Sequence, residues 1–400
     1  MTAPITTVEL RSLMTTDGEL RLTLDEVPLP GPGPDHVIVR VEAAPINPTD
    51  LGGFFGPADL TTLCANVIAE RPVTTARIPA EFAASVAGRV GRHVSLGLEG
   101  AGTVIDAGAN ARNLIGRVVS AAAGGMFTHY RTLPADAVLA FPDGVSPRQA
   151  AGAYVNPLTA LGMLSTMRLE GHTALVHTAA ASNLGLMLNK LCRSESVELV
   201  NVVRTDEQVD MLRSAGAEHV VSSTHHDFRH QLIAAVGMTV ATLAFDAVGG
   251  GPLAGEILVA MESALLRRMP ATYQYGSAVN KQVYIYGRLD TSSIMIPRGM
   301  GMAWGVGGWL LSHHLKRVGP DGTRKLQNRV TEEIATTFAS SYGGAISLVE
   351  ALDPNVIRRY AQKATGQKYL IEPWKDVSPG PTGESHSFYG RLQRRARSDL

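Results

Sequence analysis

The chain has 400 residues, 45% of them hydrophobic and 18% charged, with 36 basic and 36 acidic side chains. This length predicts a two-domain globular protein, and the even charge balance argues against nucleic acid or a membrane surface as a partner. Two cysteines are too few for a disulfide framework or a four-thiolate zinc site, and no run of about 18 apolar residues could span a bilayer, so we expect a cytoplasmic protein.

The first 150 residues have the pattern of a β-rich, irregular domain. Short strand-like runs at 37–41, 102–105 and 118–120 are interrupted by a segment rich in proline and glycine at 28–34. Residues 58–92 contain an alanine-rich stretch with arginines around it, which predicts a more helical segment. This segment is interpreted either as a substrate-specific lobe or as a solvated helix packed on the domain.

From about Asn156 the pattern changes to alternating strands and helices. An apolar run at 173–178 passes through small residues into a helical pattern, and a second apolar run follows at 199–203. The intervening turn reads Ala180-x-Ser182-x-x-Gly185 where a dinucleotide-binding turn has G-x-G-x-x-G. The pattern predicts a strand–helix–strand unit that binds a pyrophosphate at a helix N-terminus, although any such crossover can contain a turn of small residues.

The alternation continues toward the C-terminus. Strands are predicted near 219–222, 241–246 and 282–286, and helices near 228–236 and 253–261, which indicates an α/β fold with a doubly wound parallel sheet. The segment Thr205-Asp206-Glu207-Gln208 has the form of a helix capping box. Helices at 332–352 and 354–364 and a late strand at 368–371 are predicted to finish the first domain. The domain prediction is a first domain at 1–155, a second at 156–330, a return segment at 331–375 and a flexible tail at 376–400.

Several motifs together carry a resemblance to a known family. They are the Pro-rich segment at 24–51, GLEGAGTVIDAG at 97–108, FTHYRTLPADAVLAFPDG at 127–144, YVNPLTALGML at 154–164, the pyrophosphate turn, FDAVGG at 245–250 and VYIYG at 283–287. In order and spacing the chain resembles the medium-chain dehydrogenase/reductase superfamily, in its zinc-free branch of quinone oxidoreductases and enoyl reductases, over about residues 20–375. The resemblance implies a GroES-like β-rich catalytic domain and a Rossmann cofactor domain.

The resemblance also indicates whether a catalytic zinc ion is bound. Zinc-dependent members of the family have a cysteine and a histidine as ligands where this sequence has Asn47 and Leu98. Neither is a credible zinc ligand, so no zinc is expected. Without a Lewis acid, hydride transfer is easiest to an acceptor that conjugation already activates, such as an enone, an enoyl thioester or a quinone. Asn47 is the first candidate to orient the nicotinamide or the substrate carbonyl. The alternative is that Asn47-Pro48 makes an Asx turn.

The proton donor is left open by the sequence. Many relatives have a tyrosine a little over ten residues beyond the asparagine, whereas this chain has Phe54 and Phe55 in the corresponding region. Tyr154 or water is the candidate proton source. The two phenylalanines are predicted to line a substrate pocket, with core packing as the alternative.

The second strand indicates which cofactor is bound. It ends at Arg204, where an NAD-preferring fold has an acidic residue, and a guanidinium suits the 2′-phosphate of NADPH, so NADP is expected over NAD. Ser182 and Asn183 are expected to supply donors to the pyrophosphate, and Gly185 to permit close packing. The predicted cofactor-binding set is completed by Asn47, Thr159, Ala180, Leu184, Gly249, Tyr286 and Gly287.

The sequence therefore predicts a zinc-independent, NADPH-dependent reductase of activated double bonds or quinones, acting on a small molecule. The resemblance implies a homodimer. A carbonyl reductase or dehydrogenase of an unusual metabolite, or a non-catalytic NADP(H)-binding protein, is the alternative.

Overall fold

A computed structural model of the chain describes residues 6–69, 71–268, 274–362, 366 and 368–377. The described residues divide into two compact units. One contains the residues up to Tyr154 and those from Ser340 onward, and the other is Val155–Ala339. From residue 378 the tail that the sequence analysis placed at 376–400 lies outside the described residues.

The strands and helices are numbered in chain order. The strands are β1 (Thr6–Met14), β2 (Glu19–Pro28), β3 (His36–Pro45), β4 (Asp59–Ile68), β5 (Arg71–Arg77), β6 (Val94–Ser95), β7 (Gly100–Ala107), β8 (Val118–Ala121), β9 (Tyr130–Pro134), β10 (Leu139–Ala140), β11 (Ala174–Thr178), β12 (Glu198–Val203), β13 (His219–Ser222), β14 (Leu243–Asp246), β15 (Lys281–Ile285), β16 (Trp304–Gly308), β17 (Gly344–Ile346) and β18 (Tyr369–Ile371). The α-helices are α1 (Asp50–Phe54), α2 (Ala83–Val86), α3 (Pro147–Ala150), α4 (Val155–Leu169), α5 (Asn183–Ser194), α6 (Asp206–Ser214), α7 (Phe228–Thr239), α8 (Leu253–Leu266), α9 (Leu311–Glu333) and α10 (Pro354–Ala361). No helix in the described ranges is long and apolar enough to cross a membrane.

The first unit is β-rich, as the sequence predicts. One sheet has the order β4-β5-β2-β1-β6, and a second has the order β10-β8-β7-β3-β18-β17 with β9 also paired to β3. The late strand β18 runs antiparallel to the end of β3, and Ile46 N donates to Tyr369 O at 2.9 Å. This pairing brings the segment around Lys368 close to Asn47, although more than 300 residues separate the two in the chain.

The segment 58–92 differs from the prediction. Strands β4 and β5 form an antiparallel hairpin, and only short helical turns follow, of which α2 is the α-helical one. The prediction of a more helical segment at 58–92 is wrong over the hairpin, because the β-branched residues there lie on both faces of strands, a pattern that the later alanine-rich stretch obscured. Arg89 donates to the carbonyl oxygens of Gly52 and Gly53, at 2.9 and 2.7 Å. This arginine therefore links the segment after β5 to α1.

The second unit contains a six-stranded parallel sheet with the order β13-β12-β11-β14-β15-β16. Counted from the first strand of the unit this order is 3-2-1-4-5-6, which is the strand order of dinucleotide-binding Rossmann folds. Five of the six strands were predicted from the sequence. The glycine-rich strand β16 was missed, since its sequence, WGVGG, has a weak strand propensity.

The segment after the sheet also corrects the prediction. Helix α9 ends at Glu333 and is broken at Gly319, where φ is 73°. The predicted helix at 332–352 is wrong, because residues 344–346 form β17 and pair in parallel with β18, and only a 3₁₀ turn follows at Glu350–Leu352. Glycines at 343 and 344 favour an end to the helical pattern, which the sequence reading overlooked.

Candidate functional site

The turn after β11 has the geometry of an anion-binding turn. Ala179 has φ of 50°, and α5 then begins with Ser182 as its N-cap, whose hydroxyl oxygen accepts from Gly185 N at 3.1 Å. A Cβ on Gly185 would lie 2.1 Å from Ala180 O, so only glycine allows this approach of helix and turn. The N–H groups of the first helical turn point beyond the carboxyl end of the sheet, where a helix N-terminus can bind a phosphate group.

The predicted residues of this turn have different surroundings. Ser182 and Asn183 are half-buried, whereas Ala180 and Leu184 are buried in the packing of the unit. Leu184 can therefore contribute only its backbone to a ligand. Thr159, on α4, is also buried, with 6% of its surface exposed.

Two glycines at the carboxyl edge of the sheet allow two loops to lie against each other. Gly249 has φ of 79°, and a Cβ there would lie 2.4 Å from Gly287 O. A Cβ on Gly287 would lie 2.5 Å from Ala247 O. Asp246 fixes the first loop by accepting from the Thr178 hydroxyl at 2.6 Å and from Gly249 N at 3.1 Å. Both predicted glycines are thus required by close backbone contacts.

Tyr286 lies just beyond β15, and its hydroxyl makes a 2.7 Å hydrogen bond with Nε2 of His177 on β11. The side chain therefore reaches past β14, which lies between these strands. Burial lowers the pKa of His177 to about 3, so its ring is neutral at ordinary pH, and burial raises the pKa of Tyr286. The sequence analysis missed His177, although a lone polar residue in an apolar strand is a signal that could have found it.

Arg204 is exposed at the carboxyl end of β12. Its backbone N donates to Gln208 Oε1 at 2.9 Å, and its carbonyl oxygen accepts from the Thr224 hydroxyl at 2.6 Å. Gln208 also accepts from Thr205 N, which confirms the predicted capping box. Within the described part of the chain the Arg204 guanidinium forms no ion pair. Its backbone is held in place while its charge remains available to an anion.

In the first unit, Asn47 is buried and its side chain is fixed by a distant residue. Asn47 Nδ2 donates to Glu99 Oε1 at 3.0 Å, and Asn47 is only 3% exposed. The side chain near in sequence that hydrogen-bonds to Asn47 is that of Asp50. Its Oδ2 accepts from Asn47 N and its Oδ1 accepts from Leu98 N, both at 2.7 Å. The Asx-turn alternative for Asn47 is therefore not the arrangement found.

Glu99 is the centre of this polar cluster. Its side chain is fully buried, and its second oxygen, Oε2, accepts from Tyr154 N at 3.1 Å. The two predicted catalytic residues, Asn47 and Tyr154, thus meet at one carboxylate that the sequence analysis did not single out. Its place in the motif GLEGAG, inside an apolar segment, is the signal that could have found it.

Two further ionisable groups belong to the cluster. Burial raises the pKa of Asp50 to about 6, an effect that its hydrogen bonds from Asn47 and Leu98 oppose and the nearby charge of Glu99 reinforces. Burial lowers the pKa of Lys368, while the charges of Glu99 and Asp50 act in the opposite direction. The cluster therefore combines two carboxyl groups with one ammonium group in a poorly solvated site.

Phe54 and Phe55 lie in the hydrophobic core of the first unit, with 0% and 4% of their surfaces exposed. Their ring centroids are 5.3 Å apart, and both rings also contact Tyr360. These contacts favour core packing over the predicted role as a pocket wall.

The residues at the family's zinc-ligand positions do not fit a metal. The amide of Asn47 is engaged by Glu99, and the Leu98 side chain has no ligand atom. In the described ranges, Glu198, Glu218 and His219 bring three potential ligand atoms within 4.8 Å of one another. They lie at the amino ends of β12 and β13, opposite the anion-binding turn, and two of the three are exposed.

The chain is similar to several known proteins. No family model matches the chain. It is 28% identical to the synaptic vesicle membrane protein VAT-1 homolog of Rattus norvegicus over 256 residues, covering 62% of this chain and 54% of the relative. It is 27% identical to the mitochondrial enoyl-[acyl-carrier-protein] reductase of Xenopus tropicalis over 207 residues, covering 50% of this chain and 52% of the relative. The chain thus spans about half the length of these curated relatives.

Among solved structures, a candidate NADPH:quinone reductase from Mesorhizobium loti is similar, with a TM-score of 0.68 and 25% identity. The match covers 93% of this chain and 100% of that one. These similarities support the resemblance to the medium-chain dehydrogenase/reductase superfamily, in its branch of quinone oxidoreductases and enoyl reductases. The fold is accordingly a GroES-like domain joined to a Rossmann domain.

Proposed function

We propose that the protein is a zinc-independent, NADPH-dependent reductase of activated carbon–carbon double bonds or of quinones. The observation that carries the proposal is the anion-binding turn at Gly185 in a sheet of Rossmann order. At the end of the neighbouring strand lies the Arg204 guanidinium, which forms no ion pair with any described residue. The names of two similar proteins, an enoyl reductase and a candidate NADPH:quinone reductase, support the same reaction class.

The second unit supplies the cofactor-binding groups. The N-terminal N–H groups of α5 and the Ser182 hydroxyl bind the pyrophosphate, and Arg204 binds the 2′-phosphate through charge-assisted hydrogen bonds. Gly249 and Gly287, which let two loops lie against each other, form part of the binding site for the nicotinamide end of the cofactor. The ring of Tyr286, fixed by its hydrogen bond to His177, forms another part of it. Bound NADPH supplies the hydride.

The first unit supplies the polar groups that act on the substrate. Asn47 has one N–H engaged by Glu99, which leaves its Oδ1 and its second N–H to orient the nicotinamide or the substrate carbonyl. Neither Asn47 nor Leu98 can replace a metal as a Lewis acid, which favours an acceptor already activated by conjugation. Tyr154 is the proposed proton donor, with water as the alternative.

The test is NADPH oxidation by the purified protein with a panel of enones, enoyl thioesters and quinones, each measured with and without a metal chelator. We expect turnover with at least one class of acceptor and no effect of the chelator. Tight binding of NADPH without turnover of any acceptor would instead indicate a non-catalytic NADP(H)-binding protein. The acceptor with the highest kcat/KM identifies the substrate class.

We further propose that the protein is a homodimer that associates through β16. This strand is at the edge of the parallel sheet, and Met302, Trp304 and Leu310 around it are 75%, 36% and 58% exposed. Among the described residues, an edge strand flanked by exposed apolar side chains of this kind favours pairing with a second copy. Analytical ultracentrifugation should give a dimer for the wild type and a monomer for Trp304→Glu with Met302→Glu. A monomeric wild type would contradict the proposal.

A further inference from the structure

His177 is a titratable residue in a mainly apolar strand. It lies on β11, whose sequence is ALVHT, and none of its surface is exposed. Its Nε2 lies 2.7 Å from the Tyr286 hydroxyl oxygen, and the two rings are stacked with their centroids 5.8 Å apart. Its other ring nitrogen, Nδ1, is buried and has no hydrogen-bond partner among the described residues. In the described structure the ring therefore makes its one polar contact with Tyr286.

The unpartnered Nδ1 indicates which nitrogen of His177 carries the ring proton. A neutral imidazole has one N–H group and one lone pair, and burial keeps this ring neutral by lowering its pKa to about 3. A proton on Nδ1 would leave a buried N–H group without an acceptor, which is rarer in folded proteins than an acceptor without a donor. The proton is therefore assigned to Nε2, which donates to the Tyr286 hydroxyl oxygen.

The hydroxyl hydrogen of Tyr286 is then directed away from His177. A phenol group has one hydrogen to donate, and here its oxygen already accepts one. The Asp246 carboxylate does not take this hydrogen, because it accepts from the Thr178 hydroxyl and from two backbone N–H groups of the following loop. Among the described residues the Tyr286 hydroxyl has no partner besides His177. Its hydrogen is thus available to an acceptor outside the chain.

Tyr286 lies where such an acceptor can bind. It is the first residue beyond β15, at the carboxyl edge of the parallel sheet, which is where open α/β sheets bind their ligands. Unlike His177 it is only half-buried. The next residue, Gly287, lies against the loop that contains Gly249, so the backbone around Tyr286 is fixed as well.

We propose that the Tyr286 hydroxyl donates a hydrogen bond to a carbonyl oxygen of the bound ligand, and that His177 is the positioning residue that directs it. Two groups offer this oxygen, the carboxamide of the nicotinamide ring and the carbonyl group of the substrate. The inference deepens the proposed function and rests on it for the identity of the ligand.

The first experiment removes only the hydroxyl, in Tyr286→Phe. The loss of one neutral hydrogen bond should weaken the affected step by roughly 3- to 10-fold. A rise in Kd for NADPH, measured by fluorescence titration, assigns the hydrogen bond to the carboxamide. An unchanged Kd with a lower kcat/KM for the acceptor assigns it to the substrate carbonyl. Wild-type values of both constants would overturn the inference.

The matched control is Tyr284→Phe. Tyr284 lies two residues earlier, on β15, and its hydroxyl donates to Glu170 at 3.0 Å. Its removal should leave Kd for NADPH and kcat/KM unchanged. Equal effects of the two substitutions would show that the loss in Tyr286→Phe is a general effect on the fold.

Variants of His177 separate positioning from packing. His177→Phe keeps a ring but no donor, so it should lose as much as Tyr286→Phe, and the double variant should lie within about 2-fold of Tyr286→Phe alone. His177→Gln retains an N–H donor and should recover most of the loss. Multiplied losses in the double variant, or a glutamine variant no better than the phenylalanine variant, would overturn the positioning role.

A last readout does not depend on activity. In protein labelled with ¹⁵N-histidine, the signals of His177 are identified by their absence from His177→Gln, and two-bond ¹H–¹⁵N correlations report which ring nitrogen is protonated. We expect a neutral ring with its proton on Nε2. A proton on Nδ1 would overturn the inference, because Tyr286 would then donate to His177 and have no hydrogen left for a ligand. Failure of the wild type to bind NADPH would instead overturn the proposed function, and the correlation spectrum would still decide the tautomer.

Discussion

Asn47 Nδ2 donates to Glu99 Oε1 at 3.0 Å across 52 positions of the chain, and both side chains are buried. Asn47→Ala should lower kcat/KM by roughly 10- to 1000-fold, about 1.4–4 kcal/mol of transition-state stabilisation. It also removes the buried hydrogen bond from Asn47 to Glu99, which should cost about 1–3 kcal/mol of stability. Steady-state kinetics and urea unfolding of the same preparation measure the two effects. Wild-type kinetics in a folded variant would exclude a catalytic role for Asn47.

Arg204 should select the cofactor. Removing its guanidinium leaves the 2′-phosphate of NADPH without compensation, whereas NADH has no such group. Arg204→Ala should therefore raise Kd for NADPH by roughly 10- to 100-fold, about 1.4–2.7 kcal/mol, and change Kd for NADH only slightly. Fluorescence titration with each reduced cofactor measures both constants.

The control for Arg204 is Arg213→Ala, since Arg213 is exposed in the last turn of the helix that follows Arg204. It makes the same change in net charge and should leave the preference for NADPH intact. Equal losses of NADPH and NADH affinity in Arg204→Ala would indicate a structural role for that residue.

Gly185 and Gly237, both in the second unit, are suitable for a matched comparison of two glycine-to-alanine variants. A Cβ on Gly185 would lie 2.1 Å from Ala180 O, whereas a Cβ on Gly237, inside α7, would come no closer than 3.9 Å to Ala264 Cβ. Gly185→Ala should cost about 1–3 kcal/mol of stability and weaken NADPH binding, because the turn must move away from the helix. Gly237→Ala should be neutral or stabilise the protein by up to about 1 kcal/mol. Similar unfolding midpoints for the two variants would contradict the tight turn.

His177 should make the protein sensitive to acid. The unfolded chain binds a proton at this residue below about pH 6.5, whereas burial lowers the pKa of the folded state to about 3. The unfolded state therefore binds more protons between these values, and stability is lost as the pH falls through this window. The loss should be about 2 kcal/mol between pH 6.5 and 5.

The variant that tests this effect is His177→Phe. It loses the hydrogen bond to Tyr286, so it should be less stable than wild type at pH 7.5 by about 1 kcal/mol or more, yet depend less on pH. Free energies of unfolding at pH 5, 6.5 and 7.5 provide the comparison. If wild type and variant lose stability in parallel, the acid sensitivity originates elsewhere.

The sequence predicted the second unit better than the first. Its strands and helices are regular, so the periodicity that marks β11, α5 and β12 also determines their packing, and the burial of Leu184, Met187, Leu188 and Leu191 follows from it. The hairpin of β4 and β5 was mistaken for a helical region because the alanine-rich stretch after it obscured its strand pattern, and because the second partner of β5, β2, is distant in the sequence. Local patterns contain little information about such a partner.

The polar cluster around Glu99 shows the same limit of local sequence patterns, here for the candidate site. Asn47 was found from its motif, but Glu99, Asp50 and Lys368 were not assigned roles, because their importance arises from burial and from the pairing of β18 with β3. Those two facts depend on the tertiary fold. Conversely, the resemblance suggested a pocket role for Phe54 and Phe55, whose contacts in the structure are those of core residues.

The most direct test of the account is to follow a labelled hydride in the absence of metal. Chelator-treated protein would be incubated with NADPH deuterated at C4 of the nicotinamide, in separate reactions for each face, and with the best acceptor of the panel. For an enone or enoyl thioester, mass spectrometry should find one deuterium on the β-carbon of the product with one of the two cofactors, at an unchanged rate after chelation. For a quinone, whose reduced form exchanges the label, the corresponding result is one quinol formed per NADPH consumed, again without metal. Activity that disappears with the chelator and returns with zinc, or NADPH consumption without reduced product, would contradict the proposed function.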